Sequence, residues 1–170
     1  MNALWLLRHA HARSGDAAPD DHDRPLSDAG VRAAARMGAH LAAQRETPSL
    51  ILCSSALRAL ETLDRIRPLL PESPRVRTDP ALYLATGEEL LAYLSRIDDG
   101  EYRVLVLGHN PGLQALACAL AGSGDPSSIR SLERNFPSGA CAALSFETSW
   151  RNLAPQAARL IEFSTPDELT

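Results

Sequence analysis

An α/β fold with a largely parallel sheet is the architecture this sequence predicts, and three observations predict it. Short apolar runs alternate along the chain with longer stretches of helical period, the pattern of strands joined by crossover helices. Cationic and imidazole side chains stand just beyond several of those runs, at the carboxyl ends of strands, where open α/β sheets bind ligands. The 170 residues are enough for one domain with a two- or three-layer core.

In chain order, strands are expected near 3–8, 50–53, 76–78, 103–108, 140–146 and 158–163. Between the first two, Leu26, Val31, Ala34, Met37 and Leu41 recur at helical spacing. Ser27 is placed as N-cap and Leu26 with Val31 as a hydrophobic staple, so a helix is expected over 28–45. A second helix starts after Ser55 and ends before Pro68 or Pro71. A third opens at Thr86-Gly87-Glu88-Glu89, where Thr86 and Glu89 fit a capping box. A fourth begins at Pro111, a favoured first helical residue, with Asn110 as its cap. Ser14 to Arg24 reads as a polar loop able to cover the first strand's end. Gly122 to Gly139 also reads as loop, and the chain from Pro166 as frayed.

Composition bounds the function. Hydrophobic residues make up 45% and charged residues 22%, ordinary for a globular protein, and no apolar run approaches the ~20 residues that span a bilayer. A net charge of -4 with no basic run argues against a nucleic-acid partner. Cys53, Cys118 and Cys141 are odd in number and lie in apolar stretches, which reads as buried free thiols in a reducing compartment. With no signal-peptide pattern at the amino end, a cytoplasmic protein is expected, with residues 1–170 as a single domain.

Arg8-His9 ends the first strand, Arg58 follows the second and His109 follows the fourth. Singly, each reads as a solvated cation or a capping histidine. Together they suit phosphoryl transfer, whose main demand is electrostatic stabilisation of charged oxygens. Arginine forks hold oxyanions bidentately at any working pH, so Arg8 and Arg58 form the expected clamp. Arg58 also falls in the first turn of a helix, where free N–H groups favour an anion. An imidazole is largely unprotonated at neutral pH, which makes His9 the candidate nucleophile. Its Nδ1–H on a backbone carbonyl would aim Nε2 at phosphorus, and His109 would donate to a phosphoryl oxygen. His40 reads as a solvated helix residue, His22 as a loop residue and His11 as a lesser candidate for the pocket.

These residues resemble the histidine phosphatase superfamily, whose Arg-His-Gly or Arg-His-Ala motif is matched by Arg8-His9-Ala10. The likeness runs on through Arg24-Pro25-Leu26-Ser27-Asp28-Ala29-Gly30, Ser54-Ser55-Ala56-Leu57-Arg58-Ala59-Leu60-Glu61-Thr62 and Gly108-His109-Asn110-Pro111-Gly112. Order and spacing look most like the small SixA-type phosphohistidine phosphatases. The resemblance implies a phosphoglycerate mutase-like three-layer α/β/α sandwich. It also implies a phosphohistidine intermediate on His9, a pocket of Arg8, Arg58 and His109, and neither cofactor nor metal. The expected partner is a phosphorylated protein or a small phosphoester.

One departure concerns the leaving group. Many phosphomonoesterases of the superfamily carry an acidic residue shortly after the third strand, but here the stretch reads Ala81-Leu82-Tyr83-Leu84-Ala85. Asp20, Asp21 and Asp23 in the covering loop, and Glu88 and Glu89, are the remaining candidate acids. An alkoxide gains roughly 10²–10⁴-fold from a positioned proton donor. Phosphohistidine needs none, because its distal ring nitrogen is protonated near neutral pH and the imidazole leaves neutral. A site without a dedicated acid therefore suits P–N better than P–O cleavage.

Three rivals stand beside this reading. His9-Ala10-His11 resembles the H-x-H pair of metal-binding barrel hydrolases, but such barrels need ~250 residues and further ligands at later strand ends. Cys53 and Arg58 frame a strand-to-helix loop as in cysteine phosphatases, with one intervening residue too few. A phosphate- or phosphohistidine-binding module without turnover would keep the same pocket.

Overall fold

The computed structural model describes residues 1–169 and is built around a seven-stranded sheet. Its elements are β1 (Asn2–Arg8), α1 (Asp28–Ala42), β2 (Leu50–Ser54), α2 (Leu57–Ile66), β3 (Arg75–Asp79), α3 (Gly87–Leu94), β4 (Arg103–Gly108), α4 (Gly112–Leu120), β5 (Ala121–Gly124), α5 (Pro126–Arg134), β6 (Cys141–Phe146) and β7 (Ala158–Ser164). The strands lie in the order β3-β2-β4-β1-β6-β7-β5. β6 pairs antiparallel with β1 and β7, and every other pairing is parallel. This is the predicted α/β class.

Side-chain alternation divides the core into two halves. Leu4, Leu6, Leu50, Leu52, Val104 and Val106 face α3, α4 and α5 through Leu90, Leu94, Leu113, Leu116, Leu120 and Leu132. Their neighbours Trp5, Leu7, Ile51, Cys53, Leu105 and Leu107 face α1 and α2 through Met37, Leu41, Ala59, Leu63 and Ile66. The central strands are thus covered on both faces, which is why they read as unbroken apolar runs. All six predicted strands are present, and the helices form the outer two layers.

Local signals fixed several helix starts. Ser27 accepts the Gly30 N–H at 3.0 Å, Leu26 and Val31 pack together with Ala10 and Ala34, and Thr86 and Glu89 make the predicted reciprocal cap. Other expectations are corrected. α1 stops at Ala42 and not near 45, because the chain must turn through Thr47-Pro48 into β2 and a residue before proline avoids helical angles. α4 begins at Gly112; Pro111 flanks it, while Asn110 Oδ1 still takes the Gln114 N–H at 3.2 Å.

The stretch 122–139 is not simply loop: it holds most of edge strand β5 and all of α5, capped by Asp125 on the N–H groups of Ser127 and Ser128. The end is not frayed at Pro166, since Pro166–Glu168 is a 3₁₀ turn closed by Thr165 and Glu168. Cys53 and Cys141 are buried, but Cys118 is half-exposed. His40 is not simply solvated: its Nε2 lies 3.2 Å from a Glu162 carboxylate oxygen and ties α1 to β7. Among the described residues no helix is long and apolar enough to cross a membrane.

Candidate active site

The carboxyl ends of β1, β2 and β4 meet because these strands are neighbours in the sheet, with β4 between the other two. His9 leaves β1 with its N–H on Gly108 O at 3.1 Å, which aligns the ends of β1 and β4. Across the same turn Gly139 N–H reaches His9 O at 2.9 Å, and its φ of 78° is a backbone shape that favours glycine. The Ala10 N–H donates to Thr62 Oγ1 at 3.0 Å, and Thr62 in turn donates to Arg58 O at 2.7 Å. Thr62 is 1% exposed, so this pair fastens the His9 turn to α2, the helix that carries Arg58.

The four predicted residues come together. His9 Nδ1 lies 2.7 Å from Ala10 O, and only a protonated Nδ1 can bond a carbonyl, so the ring's lone pair is on Nε2. Arg58 Nε donates to that Nε2 at 3.2 Å, and Arg58 Nη2 stands 3.5 Å from His109 Nδ1. The two imidazole centroids are 5.1 Å apart. Arg8 Nη1 donates to Phe136 O at 2.9 Å, while its buried Nε has no hydrogen-bond partner among the described residues. Arg8 lies near enough to Arg58 and His9 for its charge to act on both, and its unpaired buried N–H is free to donate to a bound anion.

Burial sets the protonation states. His9 is driven down to about 4, first by desolvation and further by the charges of Arg58 and Arg8, against the pull of the Ala10 carbonyl. His109 falls to about 3, again first by burial and then by His9 and Arg58. Burial and the neighbouring Arg58 charge also lower Arg8. Both imidazoles are therefore neutral near pH 7, as a nucleophile requires.

The 14–24 segment does cover the site, through two short turns at Gly15–Ala17 and Asp21–Asp23. Asp21 reaches Arg58 twice, its backbone O accepting Nη1 at 2.6 Å and its carboxylate accepting Nη2 at 3.0 Å. Tyr83 OH donates to the same carboxylate at 2.5 Å and Arg24 Nε to its other oxygen at 2.9 Å. The Tyr83 hydroxyl and Arg58 together hold the Asp21 carboxyl down to about 2. Tyr83 packs edge-on to His109 at 5.4 Å between centroids and to His22 at 4.9 Å.

Of the other candidates, Glu89 caps Thr86 N–H at 2.8 Å, Glu88 and Asp20 are exposed, and Asp23 faces His22 at 3.3 Å. His22 Nε2 lies 2.9 Å from Ser55 Oγ, and His11 Nδ1 lies 2.8 Å from Ser27 Oγ at the start of α1. Cys53 points into the α1–α2 core with its thiol pushed up to about 12 by burial, which removes the thiolate a cysteine phosphatase needs. No cluster of three metal-ligating side chains occurs among the described residues. A groove of about 600 Å³ lies apart from the four residues, against β6 and β7 between Trp5, His40 and Ile161.

Sequence reasoning missed Ser54, Tyr83 and Phe136. Ser54 Oγ is 2.7 Å from His109 Nε2 and fully buried. Its place at the end of an apolar strand run was a usable signal. Tyr83 joins the site only through the packing of the β3–α3 connection, and Phe136 contributes a backbone carbonyl, which no side-chain pattern reveals.

Comparison with known proteins bears on the family and the fold. The model of the histidine phosphatase superfamily (branch 1) matches residues 4–83. An uncharacterized protein of Mycobacterium leprae is 33% identical over 94% of this chain and 99% of its own. A candidate phosphohistidine phosphatase SixA from Nakamurella multipartitia shares 34% identity and superposes with a TM-score of 0.84 over 97% of this chain and 96% of its own. A second candidate SixA, from Agrobacterium tumefaciens, shares 27% identity with a TM-score of 0.82 over 97% of this chain and 98% of its own.

Proposed function

The chain belongs to the histidine phosphatase superfamily, and from that premise we propose that it hydrolyses protein phosphohistidine through a phosphorylated His9, without a metal. The observation that carries this reading is the neutral His9 Nε2 facing Arg58, with Nδ1–H fixed on Ala10 O at 2.7 Å. The SixA assignments of the Nakamurella and Agrobacterium proteins support the same substrate class.

In the first step Arg58 Nε gives up its bond to His9 Nε2 and turns to a phosphoryl oxygen, the freed Nε2 lone pair attacks phosphorus, and the substrate's P–N bond breaks. The leaving imidazole carries its proton on the distal nitrogen and departs neutral. Arg8, Arg58 and His109 hold the phosphoryl oxygens as charge redistributes among them. In the second step water attacks the phosphoramidate, the P–Nε2 bond breaks and inorganic phosphate leaves with the water's protons. His9 keeps Nδ1–H on the Ala10 carbonyl throughout, so it too departs as neutral imidazole. Neither step needs an external acid.

That point favours P–N over P–O cleavage. Asp21 is the carboxylate in contact with Arg58, and Tyr83 and Arg58 keep it ionised at neutral pH, where it cannot protonate an alkoxide. Glu89 is committed to its cap.

The test is turnover by the wild type and His9→Ala on a phosphohistidine protein beside a panel of phosphate esters. Expected are preference for the phosphohistidine protein, loss of turnover in His9→Ala by at least ~10³-fold, and an acid-labile, alkali-stable phosphate label on wild-type His9. Preference for alkyl phosphates would overturn the substrate, and an active His9→Ala the mechanism. Phosphate binding without turnover would favour a binding module.

A further inference from the structure

We propose that Asp21 is a specificity-determining residue: its carboxylate and backbone carbonyl occupy the face of Arg58 that a phosphoryl group must use, so a ligand enters by displacing it. This inference rests on the reading of Arg58 as an anion clamp.

The contacts define the competition. Arg58 is 2% exposed and its three nitrogens are all engaged, Nε with His9 Nε2, Nη1 with Asp21 O and Nη2 with Asp21 Oδ2. A carboxylate offers a guanidinium fork the same paired oxygens as a phosphoryl group, so the two compete for one site. Asp21 is held in place by Tyr83 OH on Oδ2 and Arg24 Nε on Oδ1. Arg24 is itself anchored to Arg13 O at 2.7 Å, which closes the base of the covering loop.

The competitor is built to leave. Its side chain is 50% exposed while that of Arg58 is 3% exposed. If Asp21 swings out, its carboxylate meets water and the partly exposed Arg24, and the incoming phosphate replaces it as the counter-charge of the buried Arg58. Arg58 stays behind, held by its burial and by the bond of its Nε to His9. The apparent affinity for any phosphate is lowered by the fraction of molecules in which Asp21 still sits on Arg58.

Discrimination follows from how a ligand overcomes that contact. A small ester has little beyond its phosphate with which to displace Asp21. A protein carrying phosphohistidine also touches the rim, where Leu84 is 53% exposed beside Tyr83 with a φ of 52°. Binding away from the phosphate can then drive the displacement.

Inorganic phosphate titrated calorimetrically into the intact protein tests this. Asp21→Asn and Asp21→Ala are expected to bind phosphate about ten-fold more tightly than wild type. Tyr83→Phe, which keeps the carboxylate but frees it, should show a smaller gain in the same direction. Asp20→Asn, an equal charge change in the same loop, should stay within about two-fold. Weaker or unchanged binding in the Asp21 variants would make Asp21 a support of Arg58 and overturn the proposal, as would equal tightening in Asp20→Asn.

Arg58→Ala checks the premise: wild-type phosphate affinity in that variant would remove the clamp itself. In turnover, kcat/KM of Asp21→Asn should rise more for a simple aryl phosphate than for the phosphohistidine protein. An equal or smaller rise would overturn the specificity role. The titrations need no turnover, so a wrong substrate class and a wrong role for Asp21 fail in different experiments.

Discussion

His109 has one ring nitrogen committed to the protein and one facing the site. Ser54 Oγ accepts the Ala56 N–H at 3.2 Å and lies 2.7 Å from His109 Nε2, where its hydroxyl can either accept or donate. A guanidinium only donates, so beside Arg58 Nη2 the neutral ring carries its lone pair on Nδ1 and its Nε2–H donates to Ser54; when a phosphoryl oxygen takes the place of that donor, Ser54 turns its own proton to Nε2 and Nδ1–H becomes the donor that the proposed reaction needs. Ser54 is thus a positioning residue. Ser54→Ala is expected to lower kcat roughly five- to ten-fold, the worth of one neutral hydrogen bond, with little change in KM. Ser54→Thr should restore most of the loss. The ¹⁵N shifts of the His109 ring should show a mixture of tautomers in Ser54→Ala and one tautomer in the wild type; an unmixed ring in the variant would deny Ser54 this role. The same residue shows the limit of reading sequence. Arg8, His9, Arg58 and His109 were legible because each follows a strand and the sheet rule brings strand ends together. Ser54 and Tyr83 act by meeting side chains far along the chain, and those meetings are set by packing that no local pattern encodes; Asp21 was in view as a candidate acid of the covering loop, but its seat on Arg58 depends on the same packing.

At the scale of elements, two helices are pressed against the loops that carry the site. A Cβ on Gly112, at the start of α4, would lie 1.9 Å from Ala85 O in the segment after Tyr83, and one on Gly30 in α1 would lie 2.1 Å from His11 O just after His9. Both neighbours are backbone and cannot rotate away. Gly112→Ala is expected to destabilise by roughly 1–3 kcal/mol, the cost of overpacking, or about 2–9 °C in Tm for a chain of this size. Because the displaced carbonyl borders Tyr83, kcat/KM should fall as well. Melting and turnover together check this, and an unchanged Tm would mean that α4 does not bear on Ala85. Element legibility follows the same division between local and distant causes. Helices α1 and α3 announced themselves through caps and apolar period. β5 could not, because Ala121-Gly122-Ser123-Gly124 holds its place by backbone pairing with β7 and has no strand-like side chains. α5 did carry a signal, Asp125 as cap before Pro126, but its polar composition masked it. That overlooked segment leads into Phe136, whose carbonyl holds Arg8.

For the whole molecule, burying two imidazoles links the stability of the fold to pH. His9 and His109 titrate near 6.5 when unfolded but at about 4 and about 3 in the folded protein, mainly through desolvation. Between those limits the unfolded chain binds protons that the folded chain refuses, so stability rises with pH and is lost as pH falls from ~6.5 toward ~4. The aspartates with resolved shifts, Asp16, Asp21, Asp79 and Asp125, are all lowered from 3.8, so their stabilising contacts persist above that value and fade only below it. From about pH 6.5 to 4 the lowered histidines therefore work against the fold while these aspartates still support it. Thermal melting should show Tm falling through this interval by roughly 5–10 °C, a few kcal/mol shared by the coupled rings. A His9→Gln/His109→Gln protein, which keeps polar groups of similar reach but cannot titrate, should lose less than half as much. The sign is opposite to that of a site held together by protonated histidines, whose stability would grow on acidification. If the wild type and the double variant trace parallel curves, the rings are not neutral in the folded protein, and the nucleophile assigned to His9 loses the lone pair on which its reaction depends.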